Sequence, residues 1–397
     1  MTQSYSTDFV LFGGGIAGLW LLKRLRQAGY HAILFESKSL GGGQTLASQG
    51  IIHGGLKYAL GGSLTGAATT IAGMPARWRQ CLAGTDPVDL SDVEVLHDSY
   101  YMWSDSSYRS RLKTFLGSKS LVGKVRQVQQ DEYPASFANA TTEGSLYKLP
   151  DFVVNTDSLV WSLARDAGDH LFALNPEQLK FQFAADGKCS GVLLQAEDTE
   201  IAIRSQRVIF CAGEGNAGLI QQAGLAGVQA QTRPLNMVYL KKKNLPPLYV
   251  HCIGDDFGLT PRLTVTTHQA ADGSSVWYLG GELAESGVGK SDDDQKTAAK
   301  SLVQTYFPWV DIEDAEWQCF AINRAEADSN TNTRPDGHFL AEENNIITAW
   351  PTKFTLTPAL GDSLMEHLVH LEPEAESDTG SLRRFFAQPP MGVARWD

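Results

Sequence analysis

The chain has 397 residues, 43% of them hydrophobic and 20% charged, which is enough apolar material for about two domains. A formal net charge of −12 argues against non-specific binding to nucleic acid or to an anionic membrane. Five cysteines with no C-x-x-C spacing argue against a disulfide framework or a zinc site, and they point to a reducing compartment, the cytoplasm. No basic segment followed by an apolar run opens the sequence and no run of about 18 apolar residues occurs, so neither a secretory signal nor a membrane span is expected.

In chain order, Asp8–Phe12 reads as a buried strand and Gly13–Gly18 as a tight loop. Ile16–Ala28 reads as a helix with Ile16, Leu19, Trp20, Leu22 and Leu25 on one face. Gly29 ends that helix, and His31–Phe35 forms a second strand closed by Glu36, a right-handed βαβ start. Gly13-Gly14-Gly15-Ile16-Ala17-Gly18 matches G-x-G-x-x-G in the setting that motif requires. Gly13 allows the turn, Gly15 lets a pyrophosphate approach the backbone, and Gly18 lets helix and strand pack closely. The first helical residues, Ile16 and Ala17, turn their N–H groups to the phosphates. Glu36, 18 residues beyond Gly18 and followed by Ser37, stands where a carboxylate binds ribose hydroxyls. A carboxylate there disfavours a 2′-phosphate, so NADP is not expected. The fingerprint itself serves FAD and NAD alike.

A glycine-rich segment, Gly41–Gly62, and a helix over Leu64–Leu82 follow, then mixed strands and turns from about 85 to 150. Asp157–Ala167 is predicted helical with Asp157 as N-cap. Strands are predicted at Leu179–Phe183, Gly191–Ala196, Glu200–Ile203 and Arg207–Ala212. Gly213, Gly215 and Gly218 repeat the glycine spacing after the last of these, but no strand ending in an acid follows about 20 residues on. This loop is therefore read as approaching the same nucleotide from another strand of the same sheet. Lys241-Lys242-Lys243 reads as a solvated loop. Leu263–Thr267 and Ser275–Leu279 are strands, Asp292–Tyr306 a helix with an acidic start, Asn345–Ala349 a strand, and Ala359–Leu371 a helix entered through Pro358. No repeat or long linker separates these elements, so the domains are interleaved.

Residues 44–58, QTLASQGIIHGGLKY, resemble the D-amino-acid oxidase superfamily of FAD proteins, and within it the glycerol-3-phosphate and L-2-hydroxyglutarate dehydrogenase branches. Residues 208–213, VIFCAG, resemble its second flavin-contact strand, and residues 345–364, NIITAWPTKFTLTPALGDSL, its closing strand, loop and helix. The closing loop departs from the glycine-rich form of many members, and the further domain of the long glycerol-3-phosphate dehydrogenases is not expected within these 397 residues. The resemblance implies FAD as cofactor and an α/β fold: a Rossmann-like FAD-binding domain interleaved with an α+β substrate domain containing a mixed or antiparallel sheet. The first would take 1–76, 151–225 and 335–397, the second 77–150 and 226–334.

The resemblance also implies roles. Gln44, Thr45, Ser48, Gln49 and Gly50 would lie near the pyrophosphate or flavin, with Ala212, Gly213, Phe354 and Thr355 as further cofactor contacts. His53 would lie beside the isoalloxazine ring. Arg324, in NRAEA, resembles the arginine of the family's G-x-R segment, Arg334, in TRPDG, a second arginine shortly downstream, and Lys353 the lysine of the G-K-L-T-T segment of glycerol-3-phosphate dehydrogenases.

These residues suit the oxidation of a small molecule. His53 is a candidate proton acceptor. Arg324 and Arg334 offer rigid forks to a carboxylate or phosphate, although Glu326 and Asp328 make an ion pair at Arg324 a rival role. Lys353 would stabilise negative charge on the reduced cofactor, and Lys57 and Tyr58 are further anion-site candidates. His251, His268 and His338 are histidine candidates from the substrate region. The expected activity is hydride transfer from the C–OH carbon of a 2-hydroxy acid or phosphorylated alcohol to FAD, with oxygen, a quinone or a protein as electron acceptor. Amine or amino-acid oxidation is the alternative, and a flavin-binding protein without turnover a third possibility.

Overall fold

Three sheets organise the described residues, and their registers set the site. The computed structural model describes residues 2–55, 66–105, 125–141, 144–253, 260–328, 335–374 and 378–397. The first sheet is built around the strand Thr2–Phe12, which pairs in parallel with Ala32–Glu36 on one side and Thr199–Phe210 on the other. Phe9, Val10 and Leu11 are fully buried because helices cover one face of this sheet and a hairpin and the chain from Leu382 to Phe386 cover the other. The helices on the first face are Ile16–Gln27, Thr156–Ala167 and Thr357–His367.

The two strands predicted at 200–203 and 207–212 are one, Thr199–Phe210. Its first half closes an antiparallel hairpin with Cys189–Ala196, and its second half lies parallel to Ile346–Trp350. The polar stretch from Arg204 to Arg207 looks like a break, yet it crosses between these two partners while its other edge stays paired with Thr2–Phe12. Asn155, not Asp157, caps the helix Thr156–Ala167, because its side chain accepts from the N–H groups of Asp157 and Ser158.

The second sheet has eight strands, antiparallel except where Val250–Ile253 meets Tyr100–Asp105. Its longest pair is Ala230–Lys242 with Glu316–Ala327. Lys241 and Lys242 end the first of these strands and do not form a loop. Lys241 pairs with Asp272 and Lys242 with Asp311, which keeps the two ammonium groups on the sheet. The helix Asp292–Tyr306, capped by Ser291, buries Ala299 and Val303 in the apolar cluster that holds Trp277.

The third sheet is small and decisive for the site. Ile51–Ile52 runs antiparallel to Phe152–Val154, with Ile52 opposite Phe152. That register brings the residue after Ile52, which is His53, to the residue before Phe152, which is Asp151.

All five cysteines carry free thiols, four of them buried. No described helix is long and apolar enough to cross a membrane.

His268 is buried in the second sheet against Trp396, with Nε2 2.9 Å from Thr266 Oγ1. Burial lowers its pKa from 6.5 to about 3. The folded ring stays neutral where the unfolded one takes a proton. Its stabilising contribution is therefore full above about pH 6.5 and falls as the pH drops toward about 3, by about 1.4 kcal/mol per pH unit. His268→Gln should remove one histidine's share of this acid slope in urea midpoints measured against pH. An unchanged slope would show that the ring is already protonated in the fold.

Candidate active site

A cavity of about 1620 Å³ opens between the first and second sheets, and its wall includes Glu36, Gly15, Ser48, His53, Arg324 and Lys353. The strand ends of the first sheet form its glycine-lined side. Gly13 has φ +112°, and a Cβ there would stand 2.4 Å from the Ala212 Cα, so the turn and the adjoining strand touch through backbone. A Cβ at Gly18 would lie 1.8 Å from the Gly13 carbonyl oxygen, so this glycine serves helix–strand packing and does not line the cavity. At Gly15, by contrast, an added Cβ would meet only Thr45 Oγ1, at 3.3 Å. Thr45 Oγ1 accepts from the Ile16 N–H at 2.9 Å, and Ile16 and Ala17 bring the helix start to the cavity. Glu36 accepts from the N–H groups of Gly14 (2.5 Å) and Lys38 (2.7 Å), which fixes its carboxylate at the wall beside Ser37.

The segment 44–50 ties this side to the second sheet. Gln44 Oε1 accepts from the Ala325 N–H at 3.1 Å, and Gln49 Nε2 donates to the carbonyls of Tyr278 (2.9 Å) and Thr264 (3.3 Å). Ser48 Oγ accepts from the Gly50 N–H at 3.3 Å. Ala212 and Gly213 line the same cavity, so the second glycine spacing sits on the sheet that carries the first.

At another part of the wall, Lys353 is 8% exposed, and its Nζ donates to the Asp336 carbonyl at 2.7 Å. Its neighbour Thr352 adopts φ +60°, a left-handed conformation rare for a β-branched residue. Phe354 lines the cavity and stacks on Trp78 at 5.5 Å. Thr355 is fully buried, outside the lining, and its hydroxyl donates to the His53 carbonyl at 3.4 Å. The His53 side chain is 43% exposed, while that of Asp151 is 3% exposed. His53 Nδ1 lies 3.2 Å from Asp151 Oδ2, and Asp151 Oδ1 accepts from the Gly54 N–H at 2.9 Å. The His251 ring stacks on His53 at 5.7 Å and 14°, with its Nδ1 3.1 Å from Thr264 Oγ1. Burial, and then the proximity of His53, lowers the His251 pKa to about 3. Asp151 escapes sequence reading because Pro150-Asp151 looks like a turn, and only strand register brings it to His53. His268 and His338 stand outside the lining, and His338 is held by Ser363 Oγ at 2.8 Å.

Arg324 reaches the cavity but is not uncommitted. Its Nη1 donates to Glu285 Oε1 at 2.9 Å, and its buried Nε has no hydrogen-bond partner among the described residues. Burial and the facing Arg233 push its pKa down. The ion pair anticipated with Glu326 or Asp328 is formed with Glu285, because Arg233, directly opposite Arg324, takes Glu326 through Nε and Nη2. Sequence reading missed Arg395, which lines the cavity with its guanidinium 5.4 Å from the Phe320 ring and forms no ion pair among the described residues. Arg334, Lys57 and Tyr58 lie outside the described residues.

The family profile described as FAD dependent oxidoreductase matches residues 8–366. A probable FAD-dependent oxidoreductase of Pseudomonas aeruginosa is 40% identical over 401 residues, covering 100% of this chain and 99% of its own. The crystal structure of the FAD-dependent oxidoreductase from that organism is similar with a TM-score of 0.84 at 37% identity, over 100% of this chain and 99% of that one. Two more distant structures share the fold. Glycine oxidase from Geobacillus kaustophilus has a TM-score of 0.62 at 16% identity, over 96% and 98% of the two chains. Dithionite-reduced L-α-glycerophosphate oxidase from Mycoplasma pneumoniae, with FAD bound, has a TM-score of 0.65 at 14% identity, over 94% and 98%. The cavity suits the cofactor that these names carry. A side chain at Gly15 would enter it, a helix start faces it, and a fixed carboxylate borders it. With the profile spanning most of the chain and a relative matching it end to end, the protein belongs to the D-amino-acid oxidase family of FAD-dependent oxidoreductases.

Proposed function

We propose that this oxidoreductase acts on the C–OH group of a small anionic donor, a 2-hydroxy acid or a phosphorylated alcohol, and converts it to a carbonyl. FAD, when bound, accepts the two electrons and the hydrogen of the donor's C–H bond. The observation that carries the reading is His53, a half-exposed imidazole in the wall shared with Gly15 and Lys353. An alcohol must give up its O–H proton as the C–H electrons leave, whereas a neutral amine supplies its own lone pair and needs no base. A basic side chain at the wall therefore favours C–OH oxidation. Arg395 and Arg324 supply positive charge for a carboxylate or phosphate, and Lys353 brings a further cation to the wall.

In this reading the first sheet, with 1–76, 151–225 and 335–397, holds the nucleotide through Gly13, Gly15, Ile16, Ala17, Glu36, Ser37, Thr45 and Ser48. The segments 77–150 and 226–334 cover the donor. The free cysteines support a reducing cytoplasm, and oxygen, a quinone or a protein would take the electrons onward. Glycine oxidase and glycerophosphate oxidase share the fold, so fold does not choose between amine and alcohol.

The test is anaerobic mixing of the yellow protein with glycerol 3-phosphate, L-lactate and L-2-hydroxyglutarate on one side and glycine and L-amino acids on the other. Loss of the visible flavin absorbance with a hydroxyl donor alone is the expected result. Bleaching by amines alone, or by none of these compounds, would reject the reading.

A further inference from the structure

We propose that Asp151 is a positioning residue, which fixes His53 in the tautomer carrying its proton on Nδ1 and so leaves Nε2 as the proton acceptor for the donor. The inference rests on the role given to His53 above and adds what makes that imidazole a base of defined orientation.

Three observations carry it. The first is backbone register. Ile52 faces Phe152 in a strand pair, so His53 and Asp151 are brought together by main-chain hydrogen bonds and not by long flexible side chains. The second is that each carboxylate oxygen has its own partner. Oδ1 takes the Gly54 N–H at 2.9 Å, and Oδ2, in a side chain only 3% exposed, faces His53 Nδ1 at 3.2 Å. An ionised carboxylate only accepts, so the nitrogen facing it must be the N–H, and the neutral ring then has its lone pair on Nε2. Nε2 has no hydrogen-bond partner among the described residues, and the ring lines the cavity. The third is the neighbourhood. His251, stacked on His53, is kept neutral by burial, with its Nδ1 at Thr264 Oγ1. Tyr100, packed on His251, gives its hydroxyl to the Val250 and Val265 carbonyls. Among the described residues, Asp151 is thus the one charged group that hydrogen-bonds the His53 ring.

The proton count closes. Oxidising a C–OH donor removes the C–H hydrogen with two electrons, which the family's cofactor accepts, and one O–H proton. That proton goes to Nε2 as the C=O bond forms. The resulting imidazolium keeps its Nδ1–H on Asp151.

Asp151→Asn is the discriminating variant because it preserves shape. The Gly54 N–H still needs an acceptor, so the new amide turns its oxygen there and presents its NH2 to His53. Nδ1 must then accept, and the ring proton moves to Nε2. Nitrogen NMR of holoenzyme labelled at the imidazole nitrogens, with His53 assigned through His53→Gln, should place the neutral ring's proton on Nδ1 in the wild type and on Nε2 in the variant. Flavin reduction by whichever probe reduces the wild type should slow by about 10²–10⁴-fold, with FAD content and the donor's dissociation constant unchanged. A wild-type ring protonated on Nε2, or a variant with the wild-type tautomer and rate, would overturn the proposal. So would a stoichiometric divalent metal in the purified protein, since the ligand atoms of His53, Asp151 and His251 lie within 4.8 Å of one another. If no probe reduces the wild type, the proposed function falls, while the spectrum still decides the role of Asp151. If the variant loses FAD, the wild-type spectrum alone decides it.

Discussion

Gly15→Leu is expected to give a folded protein that purifies colourless. Gly15 has φ −77° and ψ −175°, an extended conformation open to any residue, and its added Cβ would meet only a hydroxyl at 3.3 Å. The backbone conformation therefore accepts a side chain, and Thr45 Oγ1 need give way by only a few tenths of an ångström. The leucine side chain would instead project into the cavity at the start of the Ile16–Gln27 helix, where a pyrophosphate must come close to main-chain N–H groups. FAD affinity should fall at least about 100-fold, roughly 2.8 kcal/mol, measured by titrating the apoprotein. Thermal unfolding of the apo variant should match the apo wild type. A yellow, stoichiometrically loaded variant would remove the nucleotide from this turn. Gly18→Ala provides the contrast: its Cβ collides with the Gly13 carbonyl at 1.8 Å, so the apoprotein itself should lose stability.

These neighbouring glycines show what the sequence makes legible. The turn, its helix and the strand ending in Glu36 are local. Glycine spacing, helical periodicity and an acid at the strand end lie within 36 residues and report directly on geometry. The helix Asp292–Tyr306 was equally readable from its acidic first turn. The strands Ala230–Lys242 and Glu316–Ala327 were not. Arg233, Pro234 and Asn236 in one, and Asn323, Arg324 and Glu326 in the other, interrupt the alternation that marks a strand. Those polar groups are accommodated by ion pairs and hydrogen bonds that cross the sheet or reach the neighbouring helix, and no local pattern reveals such partners. Asp151 is the clearest case, since it meets His53 across 98 positions of sequence and only because two short strands pair in one register. Arg395 also gave no signal, because its place at the cavity depends on Trp396 docking against Tyr239 and Tyr278.

The same cross-strand chemistry predicts a large stability effect at Arg233. Arg233 and Arg324 face each other directly, an arrangement that is unfavourable for like charges. Glu326, 1% exposed, offsets it by holding Arg233 through two hydrogen bonds, at 2.5 and 3.1 Å, while Gln231 Nε2 adds a third at 3.1 Å. Arg233→Ala removes the two charge-assisted hydrogen bonds of that buried carboxylate, leaving it the Gln231 amide and the Arg324 guanidinium as neighbours, and should cost at most about 3–5 kcal/mol, read from denaturant midpoints. Replacing both partners, Arg233→Met with Glu326→Leu, removes the stranded charge as well and should recover most of the loss. The single variant also has a functional consequence. Glu326 is two residues from Arg324 on the same strand face, so once released from Arg233 it competes for the Arg324 guanidinium. The KM for an anionic donor should then rise in Arg233→Ala, but not in the double variant, where Arg324 keeps Glu285 alone. A single variant as stable as the wild type would mean that Glu326 is not held as an ion in this sheet. A KM unchanged in both would separate Arg324 from donor binding, leaving Arg395 to carry the anion.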